Sequence, residues 1–258
     1  MFKYLRIGLL LIILGAVAIS SYRARTKSVE WQYTLMVNVY PINGDQSAAS
    51  EDYIRQLKRE DFVAIEEFIQ REKAKYGKAD QAGVEIRLMP QLKEGPPAPP
   101  AQQNPLKVMW WSLKFRWWAY QNAKLKGPGP QVRLFVQYFD PAKSQVHHST
   151  ALQEGLIGRV NLFASKELSP TNNVVIAHEM LHTLGATDKY DLANDYPDFP
   201  DGFAEPQRQP ILPQRFAEIM GGRIPVSTQE AIIPMHLGLV RLGKKTAEEI
   251  NLLPKPNS

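Results

Sequence analysis

The chain of 258 residues contains no cysteine. This absence excludes disulfides, thiolate zinc sites, iron–sulfur clusters and cysteine nucleophiles, so any metal must be held by histidine, carboxylate or backbone oxygen. A strong charge imbalance is also lacking, because the net charge is only +5 at pH 7. So mild an excess of positive charge predicts no nucleic-acid partner. A hydrophobic content of 44% is typical of a globular protein.

An apolar run without charges covers residues 7–20, directly after Lys3 and Arg6. A basic start followed by such a run is typical of an export signal. The run is short for a membrane span, which needs roughly 17–25 residues, and further basic residues follow it in residues 23–27. We therefore predict a signal-anchor or signal peptide in residues 1–27, and a protein that is membrane-anchored on the extracytoplasmic side, secreted or periplasmic.

The rest of the chain alternates between strand and helix patterns. Runs rich in β-forming residues predict strands at residues 31–40, 84–89, 132–139 and 156–164. Helices are predicted at residues 50–76, where Ser50 can cap the start, and at residues 106–126. This alternation indicates an α/β fold with one sheet. We predict one domain over residues 28–250, with a Pro-rich and Trp-rich insertion at about 93–127, and a tail at 251–258.

The predicted helix at residues 106–126 has an unusual composition. It holds four of the five tryptophans together with lysines and arginines, and it has no acidic residue. Basic and aromatic residues together are typical of a membrane interface. The alternative is a helix that packs on the sheet with its lysines in water. We predict membrane contact through the N-terminal segment, with the Trp-rich helix as a candidate second contact.

The segment HEMLH at residues 178–182 carries the strongest functional signal. Ser169 and the proline after it predict the start of a helix that includes this segment. His178 and His182 are then one turn apart on the same face, so both imidazoles can converge on one ion. Glu179 is offset by about 100°. We predict His178 and His182 as zinc ligands and Glu179 as the general base.

A third ligand is needed, because catalytic zinc usually has three from the protein. Gly185 can end the helix and turn the chain back toward the metal, three residues before Asp188. The string HExxHxxGxxD resembles the long zinc-binding motif of the metzincin metallopeptidases, most of which have His at the last position. The competing third ligands are Asp191, His236, Glu205 and Glu218.

The resemblance extends to a tight turn with a methionine, which metzincins carry beneath the metal. Met220, in the segment AEIMGG, stands where this turn would be; a core methionine is the alternative. The resemblance implies a metzincin-like catalytic domain with a mixed twisted sheet, an active-site helix and a C-terminal helix at about residues 228–242. It also implies hydrolysis of peptide bonds in a protein or peptide substrate, with Asp188 as the third zinc ligand.

Three further features of the sequence each allow two interpretations. Tyr190 is an oxyanion donor or a packing residue. His147 and His148 line a substrate groove or are ordinary surface histidines. The acidic stretch at residues 188–205 is a solvated loop at the rim of the cleft or, less simply, a calcium site.

The sequence as a whole thus predicts a zinc peptidase that is anchored or exported. An inactive zinc-binding module that mediates interactions in the cell envelope is the alternative, although a purely structural zinc site needs no general base. A third reading is a membrane-surface scaffold in which the HExxH match is accidental.

Overall fold

A five-stranded sheet forms the centre of the protein. The structure, a computed structural model, describes residues 15, 19, 22–23, 26–100, 104–125, 127, 129–143, 149–152 and 155–254. Most of the predicted N-terminal segment, His147, His148 and the last four residues of the predicted tail therefore lie outside the described residues. Within these ranges, the structure contains no helix that is both long and apolar enough to cross a membrane.

The sheet is mixed, as predicted. Its strands are β1 (Leu35–Asn43), β2 (Val84–Leu88), β3 (Gln131–Phe139), β4 (Thr150–Leu152) and β5 (Ile157–Phe163). They lie in the order β2-β1-β3-β5-β4, and all pairs are parallel except β4 with β5, which is antiparallel. The short edge strand β4 was not predicted from the sequence.

Five helices are described around this sheet: α1 (Ala48–Gln56), α2 (Val63–Lys75), α3 (Pro105–Asn122), α4 (Ser169–Leu184) and α5 (Lys244–Glu249). Single 3₁₀ turns occur at Arg59–Phe62 and Leu237–Leu239. After α4, each strand of the described chain is two residues long: β6 (Tyr190–Asp191), β7 (Tyr196–Pro197), β8 (Ala217–Glu218), β9 (Ile224–Pro225), β10 (Ala231–Ile232) and β11 (Val240–Arg241).

The order of the strands explains which face each helix covers. The chain passes from β1 through α1 and α2 to β2 on one side, and from β2 through α3 to β3 on the other. Since such crossovers are right-handed, two that run in opposite directions place their helices on opposite faces. The segment predicted as an insertion thus contains the crossover helix between β2 and β3.

Alternation along the strands gives two apolar clusters, one on each face of the sheet. On β1, Val37 and Val39 belong to the cluster that includes α2 and α4, whereas Tyr40 and Ile42 belong to the cluster formed with α3. The sheet therefore separates α3 from α4, the helix that carries the HExxH segment.

The long helix predicted over residues 50–76 is wrong as a single element. The backbone becomes extended at Leu57 and Lys58, so the segment divides into α1, a 3₁₀ turn and α2. The cap is Ser47 rather than Ser50, because the Ser47 hydroxyl accepts a hydrogen bond from the Ser50 N–H. The break lets Ile54 of α1 and Phe62 of the turn both reach the same core.

The helix predicted over residues 228–242 is also wrong. This segment forms β10, a 3₁₀ turn and β11, and the last helix is α5, which is short and begins at Lys244. Pro234 lacks the N–H that a helix interior requires, and the His236 ring caps the 3₁₀ turn by accepting from the Gly238 N–H.

Candidate metal centre

Helix α4 is fixed to the domain by one apolar face and two buried amides. Val174, Ala177, Leu181 and Leu184, which form an apolar stripe along the helix, are all buried. Near the start of the helix, the Asn172 side chain donates to the Phe163 carbonyl of β5. The next side chain, Asn173, donates to the Asp61 carbonyl of the first 3₁₀ turn. These contacts hold the opposite face of α4 toward the cleft.

The chain turns sharply after α4 and returns toward the histidines. Gly185 has φ of 105°, in the left-handed region that favours glycine, and its N–H donates to the His182 carbonyl. The Ala186 N–H donates to the Leu181 carbonyl. Two residues later, Asp188 reaches the face of α4 that carries both imidazoles.

Three donor atoms converge in front of α4. The Nε2 atoms of His178 and His182 lie 3.0 Å apart. The Oδ1 atom of Asp188 lies 3.1 Å from each of these two nitrogens. Zinc–nitrogen bonds of about 2.0–2.1 Å in a tetrahedral site would separate neighbouring ligand atoms by about 3.3 Å. The observed triangle is therefore close in size to one face of a zinc coordination tetrahedron, and slightly smaller.

Backbone carbonyls determine the orientation of both rings. The Nδ1 atom of His178 lies 2.9 Å from the Ile219 oxygen, and that of His182 lies 2.8 Å from the Ala186 oxygen. A carbonyl can only accept, so we assign the ring proton to Nδ1 in both residues. Each neutral ring then directs its Nε2 lone pair at the other and at the Asp188 carboxylate, a donor set suited to a cation.

The electrostatics of the centre favour positive charge between these groups. Burial lowers the pKa of His178, but the hydrogen bond to Asp188, the charge of Glu179 and the Ile219 carbonyl outweigh it, so its pKa lies above the ordinary value. Burial raises the pKa of Asp188, but the hydrogen bonds and charges of the two histidine rings, when these are protonated, outweigh it, so its pKa lies well below the ordinary value. Asp188 is therefore ionised at neutral pH.

A second carboxylate is also near the imidazoles. His178, Glu179 and His182 each offer one ligand atom, all within 4.8 Å of one another, so this group could bind a metal ion. The Asp188 oxygen meets both ring nitrogens at 3.1 Å. That shorter distance favours Asp188 as the third ligand and leaves Glu179, which is buried at the floor of the cleft, for proton transfer.

The other residues considered as third ligands have different partners. The Asp191 carboxylate accepts from the Ala193 N–H within its own turn. The His236 ring accepts from a backbone N–H, and Glu205 pairs with Arg215. Since Asp195 also pairs with an arginine, Arg223, at 2.8 Å, neither Asp195 nor Glu205 of the acidic stretch is directed at a calcium ion.

Glu218, the last of the four competing third ligands, holds the turn that contains Met220. It is fully buried, and its carboxylate accepts from the N–H groups of Met220 and Gly221. The other carboxylate oxygen accepts from the Gly243 N–H and the Thr246 hydroxyl at the start of α5. Burial raises the pKa of Glu218, and several of these donors act in the opposite direction.

The turn that contains Met220 contacts the metal centre through its backbone. Met220 is fully buried in the main core. Its carbonyl accepts from the N–H of Lys189, which follows Asp188. The preceding carbonyl, that of Ile219, is the partner of the His178 ring. One turn thus positions two of the three converging side chains.

Two glycines allow the loops around the centre to pack backbone against backbone. A Cβ atom on Gly221 would collide with the Gly202 carbonyl, and one on Gly202 would collide with the Lys189 carbonyl. Both positions therefore require glycine, and the loop after Asp188 is held against the turn of Met220.

A cleft of about 370 Å³ opens at the metal centre. Val174, Val175 and Ile233 give it an apolar side, and Arg223 and Tyr190 lie on its polar side. Burial, together with the charges of Asp188 and Glu179, raises the pKa of Tyr190. The cleft therefore brings the Glu179 carboxylate, the Tyr190 hydroxyl and the candidate ligand His178 together.

Several residues of the centre could not be identified from the sequence. The carbonyls of Ile219 and Ala186 carry no side-chain signature. Glu218 was visible only as an acid near Met220, which led to its consideration as a ligand. Arg223 has one available signal, since it directly follows the two glycines after Met220.

Comparison with known proteins gives little further information. No protein-family model matches the sequence. No curated protein matches it either. Among solved structures, the chain is similar to wild type OgpA from Akkermansia muciniphila, with 13% identity and a TM-score of 0.37. The match covers 87% of this chain and 63%, less than two thirds, of that one. A similarity this low carries no functional argument, so the function is inferred from the metal centre itself.

Proposed function

We propose that the protein is a zinc-dependent peptidase of metzincin-like design, with His178, His182 and Asp188 as the ligands. The observation that carries the proposal is the triangle of donor atoms, with sides of 3.0, 3.1 and 3.1 Å. Its size fits zinc, and its composition of two imidazoles and one carboxylate is a common catalytic donor set. The buried turn of Met220 beside His178 supports the metzincin-like reading.

The chain supplies the groups that peptide hydrolysis requires. A bound zinc ion would polarise the scissile carbonyl and acidify the attacking water. Glu179 lines the cleft beside His178, so its carboxylate can accept the proton of that water and then pass it to the leaving amine. Tyr190, on the polar side of the cleft, can donate a hydrogen bond to the carbonyl oxygen as negative charge develops there.

Zinc content of the purified full chain tests the ligand set. We expect about one zinc per chain in the wild type and Glu179→Gln. We expect at least about 10–100-fold weaker zinc binding in Asp188→Ala, since losing even an outer partner of a ligand costs that much. Asp191→Ala is the matched control, because it removes a nearby acid whose carboxylate faces its own turn.

Cleavage of a mixture of quenched fluorescent peptides tests the activity. Glu179→Gln should abolish cleavage while zinc remains bound. Loss of zinc in this variant would show that Glu179 is a ligand. Stoichiometric zinc without cleavage of any peptide by the wild type would support the inactive envelope module instead, and no zinc after metal-replete expression would overturn both readings.

The location of the enzyme is proposed from the sequence alone. The apolar run at residues 7–20 would hold the peptidase at a membrane, on the extracytoplasmic side. A reporter enzyme that is active only outside the cytoplasm, fused after residue 258, tests this orientation. An inactive fusion that is produced in full would contradict it.

A further inference from the structure

Helix α3 contacts the sheet through one face only. Trp111, Phe115 and Ala119 are at most 6% exposed and pack with Tyr40 and Phe135 of the sheet. The Arg133 guanidinium donates to the Ala119 and Ala123 carbonyls and thereby fixes the end of the helix. The helix is therefore firmly held, and its outer face is a defined surface.

That outer face is apolar along its whole length. Its large side chains range from 48% exposed for Leu113 to 71% for Leu106. We call this surface the Trp-rich face; it consists of Leu106, Met109, Trp110, Leu113, Trp117 and Tyr120. Intervals of three and four residues place these side chains in one stripe. Scattered apolar residues on a surface are ordinary, whereas a continuous stripe marks a binding surface.

The charges around the stripe are of one sign. No Asp or Glu occurs from residue 95 to residue 139, and Lys107, Lys114, Arg116 and Lys124 lie on or just after α3. The Lys114 ammonium lies 5.6 Å from the centre of the Trp110 ring, so a cation stands over an aromatic residue of the stripe. A partner that complements this surface is apolar inside and anionic at its boundary.

We propose that the Trp-rich face docks on an anionic membrane surface. Tryptophan and tyrosine favour the headgroup level of a bilayer, where the neighbouring lysines can meet lipid phosphates. A second copy of the chain is a poorer partner, because pairing two such faces would bring cations of the same sign together.

The inference does not rest on the proposed peptidase, because the sheet lies between α3 and the metal centre. If the protein docked through α3, the cleft at the metal centre would lie on the other side of the sheet, away from the lipid.

Tryptophan fluorescence tests the docking in the full chain. All five tryptophans lie at residue 31 or later, so the N-terminal apolar run contributes no signal. The full chain is reconstituted into vesicles of phosphatidylcholine with or without phosphatidylglycerol, and quenching by brominated lipids is measured. We expect lipid quenching and blue-shifted emission in anionic vesicles, and a loss of more than half of the quenching in the double variant Trp110→Phe, Trp117→Phe.

Charge variants and salt complete the test. Lys114→Glu with Lys124→Glu should lower the lipid quenching at least twofold. About 1 M salt should do the same, since the screening length falls to about 3 Å. Lys166→Glu with Lys245→Glu, a matched change of exposed lysines outside α3, should have no effect.

Full quenching by aqueous acrylamide without lipid quenching would overturn the proposal. Protection from both quenchers would also overturn it and would indicate a protein partner, such as a second copy.

Discussion

At the scale of single residues, the hydroxyl of Tyr190 is a group on the polar side of the cleft that can donate to a developing oxyanion. Loss of one such donor typically lowers kcat about 100–1000-fold. We expect Tyr190→Phe to lower kcat by about 100-fold while zinc content remains that of the wild type, measured by peptide cleavage and metal analysis.

The control for this substitution is Tyr196→Phe. The Tyr196 hydroxyl donates to the Ser227 carbonyl, and its loss should leave kcat within about twofold of the wild type. Full activity of Tyr190→Phe would show that this tyrosine is a packing residue, the other reading of the sequence.

Asp45 predicts a specific dependence of stability on pH. Its carboxylate accepts from the Ser47 and Asp140 N–H groups, so it ties the loop after β1 to the end of β3. Burial raises the pKa of Asp45, but these hydrogen bonds outweigh it and bring the pKa to about 2. Since the unfolded value is about 3.9, the carboxylate stabilises the fold above pH 4 or so, and this contribution disappears as the pH falls through about 2.

Thermal unfolding of Asp45→Asn between pH 7 and pH 2 checks this dependence. The variant should melt below the wild type at pH 7, and the gap should close toward pH 2. Asp80→Asn, a change of an exposed acid, should show no gap at either end. A gap for Asp45→Asn that stays constant over the whole range would contradict the prediction.

At the scale of elements, the turn between β8 and β9 depends on one buried carboxylate. Removing the Glu218 side chain would leave the N–H groups of Met220 and Gly243 and the Thr246 hydroxyl without their acceptor, at a cost of about 3 kcal/mol or more. The turn would also shift the Ile219 carbonyl that orients His178. We expect Glu218→Ala to unfold at lower denaturant concentration and to bind zinc more weakly.

Denaturant unfolding and zinc titration separate these two effects. Glu230→Ala, which removes an exposed acid in the same region, serves as the control and should change neither. A stable Glu218→Ala protein with wild-type zinc affinity would show that the carboxylate does not hold the turn.

The elements that could be predicted are those with local signals. Strands β1, β2, β3 and β5 follow from apolar β-forming runs, and α4 follows from its start signals and its apolar stripe. The turn at Gly185 was predicted because only its residue type suits a left-handed conformation. In contrast, Leu57 and Lys58 are good helix formers, and the break there reflects packing that is not visible in the local sequence.

The residues of the site also divide into those with local signals and those without. His178, Glu179 and His182 are close in sequence, so helix geometry alone relates them. The prediction of Asp188 required the turn at Gly185 as well as the resemblance to a known motif. The partners of the histidine rings are backbone carbonyls that folding brings close to them, so no pattern of residue types could reveal them.

At the scale of the whole molecule, zinc would join α4 to the loop that carries Asp188. Binding to the folded state alone, at a thousandfold excess over Kd, stabilises a protein by about 4 kcal/mol. For a chain of this size that corresponds to a rise in Tm of roughly 10 °C. We expect a chelator to lower the wild-type Tm by about this amount while far-ultraviolet circular dichroism at 25 °C is unchanged, because none of the three candidate ligands belongs to either apolar cluster.

Asp188→Ala is the control for this measurement, since its Tm should respond little to the chelator. An equal response of this variant and the wild type would mean that the chelator removes an ion from another place. Unfolding of the wild type at 25 °C upon chelation would show instead that the metal is required for the fold itself.

The two ring partners, the carbonyls of Ile219 and Ala186, have a consequence for how the protein can diverge. Every residue type has a carbonyl, so point mutation at either position cannot delete the acceptor. Both side chains are buried in the main core, so another apolar residue that fits there can replace either of them while both imidazoles keep their orientation. The centre depends more strictly on a few positions that set the backbone path, Gly185, Gly202 and Gly221 among them. Descendants should accordingly exchange apolar residues at the ring partners and keep these glycines.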